Sequence, residues 1–202
     1  MKNRIVDFLK ENVLGKELLT DNMRYILEDG KMEGNYSDKM FFSDILTTDN
    51  GFKFNLTTIT EEKIYLLDVN GEYVEIKKDF TGTSVMTYEI ARRKSTGEFT
   101  GYMRLLSSTV KDHAMEAIAS GVYDIKVSEN ELSWKENQLL YRDMPTNTEN
   151  YRPVAFDAQV RLYIENGKLK FEYIPVYSNF DNKTMEKTIS RDHYPTYTSK
   201  EK

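Results

Sequence analysis

The stretch Val160–Tyr173, VRLYIENGKLKFEY, decides the fold class of this chain. Asn166-Gly167 supplies the two positive-φ positions of a type I′ turn, and apolar residues alternate with polar ones on both sides of it. Counting outward from this turn puts the apolar residues of both arms on one face and pairs Arg161 with Glu172 on the other. The stretch is therefore predicted to be an antiparallel β-hairpin with one face in a core.

The same turn signal occurs earlier in the chain, at Asp29-Gly30, Asn50-Gly51 and Asn70-Gly71. Short segments that alternate between apolar and polar residues lie between these turns, and about twelve strands in all are expected. Closing such a long sheet into a barrel removes the exposed edges that would otherwise pair with other chains. The fold class is therefore predicted to be mainly all-β, a single antiparallel meander that closes into a barrel.

Two segments are predicted to be helical. Residues 3–19 carry an apolar stripe at helical spacing, which favours a helix that packs on the barrel or plugs it. Residues 109–121 are predicted to form one short internal helix, with Thr109 as its N-cap and Gly121 at its end. The expected organisation is a single domain over 1–202, with the N-terminal helix in 1–20, the barrel in 21–178, and a polar C-terminal tail in 179–202.

Composition excludes several classes of function. The chain has 202 residues, a net charge of −5 and no cysteine. Interspersed charges argue against nucleic acid as a partner, and the lack of cysteine excludes disulfides and thiolate metal sites. No apolar run is long enough to cross a bilayer, and the N-terminus is not typical of a signal peptide. The sequence predicts a soluble, cytoplasmic protein without a cofactor; oligomeric state is left open.

An N-terminal helix followed by Gly34-Asn35-Tyr36 and an antiparallel meander resembles the lipocalin and calycin group. That group carries Gly-X-Trp on its first strand, and Tyr36 stands at the tryptophan position here. The resemblance implies a barrel with a ligand cavity.

Tyrosines placed beside arginines provide the candidate ligand contacts. If Ser95-Thr96-Gly97 forms a three-residue turn, Tyr88 lies opposite Arg104, and both share a face with Tyr102; a two-residue Ser95-Thr96 turn would instead set Tyr88 against Met103. In the first register tyrosine would contact an amphipathic or aromatic ligand and arginine would orient a carboxylate. The alternative is that these tyrosines simply pack in strands. The predicted ligand-binding residues are Tyr88, Tyr102, Arg104, Trp134, Tyr141, Arg142, Phe171 and Tyr173, and the lumen is predicted to include Met86, Ile90 and Leu162 as well.

Two further features of the sequence bear on its function. The irregular stretch 141–153 is predicted to be either a lid at one barrel end or a plain long connection. His113 and Glu116 would share a face of the internal helix, and His193 follows in the tail, but nothing in the sequence brings these residues together. No metal site is therefore predicted.

The leading hypothesis is a small-molecule-binding barrel that takes an apolar or aromatic ligand, acidic if an arginine anchors it. The first alternative is a cofactor-independent enzyme of the cyclase, isomerase or decarboxylase type, in which tyrosine and arginine polarise the substrate and an acid such as Glu89 or Asp143 moves a proton. The second is a protein-interaction module. A buried carboxylate beside the tyrosine–arginine cluster would favour the enzyme over the carrier; the catalytic residues themselves are unknown from the sequence.

Overall fold

The structure is a computed structural model that describes residues 2–20, 23–27, 30–109, 115–142, 152–176 and 197–199. A short helix α1 and a π-helical turn precede eleven strands, and all the strand pairings are antiparallel. The elements are α1 Lys2–Phe8, the π-helical turn Leu9–Val13, β1 Leu18–Leu19, β2 Met23–Leu27, β3 Met32–Thr47, β4 Gly51–Leu67, β5 Tyr73–Arg92, β6 Phe99–Ser108, β7 Met115–Val127, β8 Glu131–Arg142, β9 Arg152–Glu165, β10 Lys168–Val176 and β11 Tyr197–Ser199.

Ten of these strands form a closed barrel, which confirms the predicted architecture. Strands β3 to β10 neighbour one another in sequence order, β11 pairs with β10, and β1 pairs with both β11 and β3. The remaining strand, β2, lies beside the first residues of β3. Residues 197–199 thus belong to the barrel wall, although the sequence placed them in a tail that begins at 179.

The hairpin Val160–Tyr173 forms as predicted. Asn166 and Gly167 have φ values of 51° and 74°, as a type I′ turn requires. Arg161 lies opposite Glu172, and the Arg161 Nη1 atom is 3.3 Å from the Glu172 Oε2 atom. The turn chemistry and the apolar alternation of both strands agree on one register, and no other register satisfies both.

The predicted internal helix at 109–121 is wrong. Strand β7 begins at Met115, and its first residues pair with the last residues of β8, Met115 with Arg142 and Ala117 with Leu140. The preference of this segment for helix is worth only tenths of a kcal/mol per residue, so pairing with a neighbouring strand overrides it. Residues 110–114, which include His113, lie outside the described residues.

The Asn50-Gly51 signal also acts differently from the prediction. The turn residues are Asp49 and Asn50, because the Thr48 N–H donates to the Gly51 carbonyl at 2.9 Å and Gly51 already belongs to β4. A Cβ atom on Gly51 would lie 1.8 Å from the Ile90 carbonyl oxygen of the next strand. Glycine is therefore required there by the close approach of two backbones.

The N-terminal segment plugs one end of the barrel, but the predicted helix over 3–19 is too long: the helical residues end at Val13, and Leu18–Leu19 form strand β1. Ile5 and Leu9 are 0% exposed and Phe8 is 4% exposed. The Lys2 Nζ atom donates to the carbonyl oxygens of Thr48 and Asp49 at 3.1 and 3.3 Å, so the helix lies at the β3–β4 turn. We call this end of the barrel the plugged end. The half of the barrel interior that is furthest from it is called the far half of the lumen.

Two hairpins of the barrel share one backbone plan. Strands β3 and β4 contain a bulge at Asp44 with φ 52°, and β7 and β8 contain a bulge at Asp124 with φ 51°. Positions 44 and 124 are 80 residues apart, and the strand pairs keep this spacing: Phe42 faces Leu56, and Val122 faces Glu136. Leu56 and Glu136 are therefore equivalent positions in the two hairpins.

The parts of β2 to β5 that lie furthest from the plugged end extend beyond the barrel. Glu33 holds them together on their outer face. Its carboxylate accepts hydrogen bonds from Arg24 Nε and Nη2 at 2.9 and 2.8 Å, and from the Tyr73 hydroxyl at 2.6 Å. Arg24 and then Tyr73 lower the pKa of Glu33 to about 2. This clamp joins the edge strand β2 to β5 across two intervening strands.

Candidate functional site

The exposure of the inward-facing side chains changes along the barrel axis. Side chains alternate between the two faces of a strand, so those in register with the buried Phe42, Phe54 and Tyr88 point into the lumen. Toward the plugged end these inward residues are buried. In the far half they are half-buried, so solvent reaches this part of the lumen; these residues are Tyr36, Asp38, Thr58, Thr60, Ser84, Met86 and Tyr173.

A fully buried carboxylate lies at the floor of the far half. Glu136 on β8 is 0% exposed, and its Oε1 atom accepts hydrogen bonds from the Tyr88 hydroxyl at 2.7 Å and from Trp134 Nε1 at 2.9 Å. Tyr88 belongs to β5, three strands away, so the bond to Glu136 crosses the lumen. We call Tyr88, Trp134 and Glu136 the Glu136 cluster. Burial, followed by the charge of Glu136, raises the pKa of Tyr88, which keeps the phenol protonated.

Aromatic rings hold this cluster in place. The ring of Phe54 stacks on Tyr88 with centroids 4.7 Å apart, and Trp134 meets Tyr88 edge to face at 5.8 Å. Phe54 also contacts Trp134 at 6.2 Å. Each ring restrains the other two. The donors to Glu136 are thus fixed in position before any ligand arrives.

The barrel does not need a carboxylate at position 136. The equivalent position of the first hairpin is Leu56, which is buried at 6% exposure. A buried carboxylate carries a desolvation penalty of several kcal/mol, which its hydrogen bonds only partly offset. Because an apolar side chain fills the same place in the other half, Glu136 is a candidate for function.

A second carboxylate, Asp38, lies in the far half of the lumen, further from the plugged end than Glu136. Its Oδ1 atom accepts from the Thr60 hydroxyl at 2.7 Å, and its Oδ2 atom accepts from the Tyr197 hydroxyl at 2.8 Å. The Asp38 backbone N–H donates to Thr20 Oγ1 at 2.9 Å. Asp38, Thr20, Thr60 and Tyr197 form what we call the Asp38 cluster, which joins β3, β4 and β11 with the end of β1.

The remaining charges of the far half are one ion pair at its outer rim. Lys78 Nζ lies 3.1 Å from Glu62 Oε2, and both side chains are largely buried. Burial, Asp38 and Glu62 together raise the pKa of the half-buried Tyr36. Within the described part of the chain, the lumen presents carboxylates and hydroxyls to a ligand, and Lys78 is the cation at its rim.

Two of the predicted ligand contacts lie outside the barrel. Tyr88 pairs with Met103, so Tyr102 and Arg104 point away from the lumen. The Tyr102 hydroxyl donates to Glu89 Oε2 at 2.5 Å, and Arg104 Nη2 lies 3.6 Å from Glu89 Oε1 on the exterior. The predicted shared site of Tyr88, Tyr102 and Arg104 is therefore wrong.

The cause is the loop between β5 and β6. Arg93 N–H donates to the Glu98 carbonyl and Gly97 N–H to the Arg93 carbonyl, both at 2.8 Å, so four residues lie inside the closing pair. Gly97 has φ 73°, as predicted, but the loop is one residue longer than the three-residue turn. A shift of one residue moves every side chain of the partner strand to the opposite face.

The other predicted residues fall into two groups. Trp134, Phe171 and Tyr173 face the lumen together with Tyr88, as do Met86, Ile90 and Leu162. Tyr141 and Arg142 lie at the end of β8, where Tyr141 pairs with Pro153, and their side chains are outside the described part. The predicted loop 141–153 thus contains strand residues at both ends, and its centre, 143–151, is not described.

The lumen residues that the sequence analysis missed include Glu136, Asp38 and Tyr197. Glu136 could have been found, because it follows Leu132 and Trp134 at a period of two on a strand whose Trp134 was predicted to face the core. Tyr197 lies in a three-residue strand, which is too short to produce a pattern.

Comparison with known proteins gives no further assignment: no family model, no curated protein and no solved structure matches this chain. In the part of the chain that the structure describes, no helix has the length and apolar character needed to span a membrane. The same residues contain no group of three histidine or acidic side chains placed to hold a metal ion.

Proposed function

We propose that this protein is a small-molecule-binding barrel of the calycin type that takes an apolar or aromatic ligand in the far half of its lumen. The observation that carries the proposal is the fully buried Glu136, held by Tyr88 and Trp134 at a position where the equivalent hairpin has Leu56. Small-molecule sites are mostly apolar and contain a few fixed polar groups, and the Glu136 cluster has this composition. From the sequence alone we expect a cytoplasmic location.

The polar groups of the lumen suit a ligand with hydrogen-bond donors. The sequence suggested an acidic ligand because arginine was expected inside, but Arg104 lies on the exterior. Asp38 and Glu136 would repel a carboxylate and accept hydrogen bonds from hydroxyl or amino groups. We therefore propose a neutral or basic ligand with an aromatic or apolar body.

The test is native mass spectrometry of the full chain purified from cells, followed by titration with the compounds it releases. Trp134, the single tryptophan, lies in the cluster, so its fluorescence should change on binding. We expect the Glu136→Gln variant to bind at least about tenfold more weakly, since an ionic hydrogen bond becomes a neutral one.

A matched control is Glu89→Gln, which changes an exterior carboxylate that also accepts a hydrogen bond from a tyrosine. This variant should bind like the unmodified protein. Equal weakening by both variants, or a chain that carries no small molecule, would contradict the proposal.

A cofactor-independent enzyme is the second candidate, because a buried carboxylate lies beside a tyrosine, which is part of the tyrosine–arginine–carboxylate site expected of an enzyme. Glu136 would act as the base, and the Tyr88 hydroxyl, kept protonated by its raised pKa, would turn from Glu136 to donate to a substrate carbonyl. Arg104, the arginine of that hypothesis, lies on the exterior. Chemical change of the co-purified compound on incubation, lost in Tyr88→Phe, would favour the enzyme over the carrier.

A further inference from the structure

The barrel is closed by its two shortest strands. Strand β1 has two residues and the described part of β11 has three, whereas β3 to β10 have between 9 and 20. Strand β11 pairs with β10 through Tyr197 and Thr198, and with β1 through Thr198 and Ser199. Segments with few hydrogen bonds open locally at a much lower free energy than the whole protein unfolds. Among the described residues, two residue pairs on each side thus hold β11 in the wall.

Side chains of β11 connect this weak point to the lumen. The Tyr197 hydroxyl donates to Asp38 Oδ2 at 2.8 Å, and its ring meets Phe171 edge to face at 5.6 Å. Ser199 is 7% exposed, and its hydroxyl oxygen accepts the Leu169 N–H at 3.0 Å. Release of β11 would withdraw Tyr197 from the lumen and expose Asp38.

We propose that β11 is a releasable strand and that its release opens a side portal into the far half of the lumen while β3 to β10 stay folded. Because β11 lies between β10 and β1, its departure leaves a gap one strand wide at the level of Asp38. Asp38 acts as the catch that holds the strand through Tyr197. Passage of a ligand through the portal rests on the proposed function, but release of the strand does not.

Thiol labelling tests the release directly, since the natural chain has no cysteine. Two full-length variants each carry one buried thiol: Ser199→Cys on β11, and Val160→Cys on the central strand β9, where the native residue is 0% exposed. We expect dithiobis-nitrobenzoate to label the first at least about tenfold faster in native buffer, because local opening exposes it without global unfolding. Equal labelling rates, with equal dependence on urea, would overturn the proposal.

The catch is tested by adding Tyr197→Phe to each thiol variant. Losing a hydrogen bond to a charged group should speed labelling at position 199 by about tenfold and leave position 160 unchanged. Tyr163→Phe, which removes a tyrosine hydroxyl that donates to Glu172 on the exterior, is the control and should alter neither rate. Faster labelling at both positions would show that Tyr197 stabilises the whole fold, and the assigned catch would be wrong.

The portal is tested by locking the strand. Leu19 and Thr198 are cross-strand partners, so a disulfide between Leu19→Cys and Thr198→Cys fits the required geometry. Entry of a neutral dimethylaminonaphthalene dye, followed through Trp134, should slow by about tenfold or more when the disulfide is oxidised and recover on reduction. Unchanged entry would overturn the portal. A dye that never binds counts against the proposed function, and strand release is then decided by the thiol rates alone.

Discussion

Glu136 is costly to bury, and its cross-strand neighbours are apolar. Its cross-strand partners are Val122 and Ala158, both apolar and about 1% exposed. The carboxylate accepts hydrogen bonds from the opposite side of the lumen, through Tyr88, and from its own strand, through Trp134. An arrangement that assembles polar groups in the middle of a barrel trades stability for a binding or reactive surface.

A double-mutant cycle on the Glu136 cluster measures this trade. Glu136→Leu should lower the free energy of unfolding by about 1 to 3 kcal/mol, because it leaves the Tyr88 hydroxyl and the Trp134 indole N–H buried without their acceptor. Adding Tyr88→Phe removes one of these two donors and should recover part of the lost stability. Urea unfolding is the measurement. A double variant less stable than Glu136→Leu alone would mean that the cluster mainly supports the fold.

At the scale of elements, the face of a strand was predicted correctly where the turn next to it allowed only one register. Asn166-Gly167 allows one register, so the faces of β9 and β10 were predicted in full. Ser95-Thr96-Gly97 allows two, and the choice between them moved Tyr102 and Arg104 from the exterior into the lumen. Sequence signals within one strand fix which residues share a face, but the loop fixes which face meets the core.

Other misses at this scale have the same origin in distant contacts. The first residues of β7 became a strand because β8 lies beside them, and β11 exists because β1 and β10 bind it from both sides. Met115 and Arg142 are 27 residues apart, and Leu18 and Ser199 are separated by most of the chain, so neither pairing lies within a short window of sequence. Local propensity is weak compared with such pairing, so no pattern within either segment could reveal it.

The plugging helix gives a prediction at the element scale. Phe8→Ala should lower the free energy of unfolding by about 3 to 5 kcal/mol, because the ring is 4% exposed and its removal leaves a cavity at the barrel end. Asp7→Ala, at the exposed neighbouring position, should change it by less than about 0.5 kcal/mol. Chemical denaturation of both variants is the check. Similar stability of the two would show that the barrel does not depend on its plug.

For the whole molecule, buried tyrosines set the response to alkaline pH. Burial, followed by the hydrogen bond to Glu172, raises the pKa of Tyr163 to about 12. Burial also raises the pKa of Tyr88 and Tyr197, next to Glu136 and Asp38 respectively. Above about pH 10 the unfolded chain releases phenolic protons that the folded chain retains, so the free energy of unfolding must fall as pH rises.

We therefore expect urea unfolding to show full tyrosine-dependent stability below about pH 9 and a steady loss from about pH 10 to pH 12. Tyr163→Phe should make the loss shallower, because one phenol with a raised pKa is gone. Phenolate absorbance in native buffer should rise later than in denaturant. Coincident native and denatured titration curves would contradict the assignment.

The pairing of Leu18 with Ser199 has a kinetic consequence for the newly made chain. From β3 to β10, each strand pairs with the next strand in sequence. The pair of Leu18 and Ser199 instead spans nearly the full length of the chain. Loop-closure entropy delays contacts of such separation, so the meander should assemble first and the ring close last. Until then β1 and β10 each have an unpaired edge, and two half-made molecules can join through these edges. Misassembly during synthesis should therefore begin at these edges, and a peptide that covers either one should suppress it.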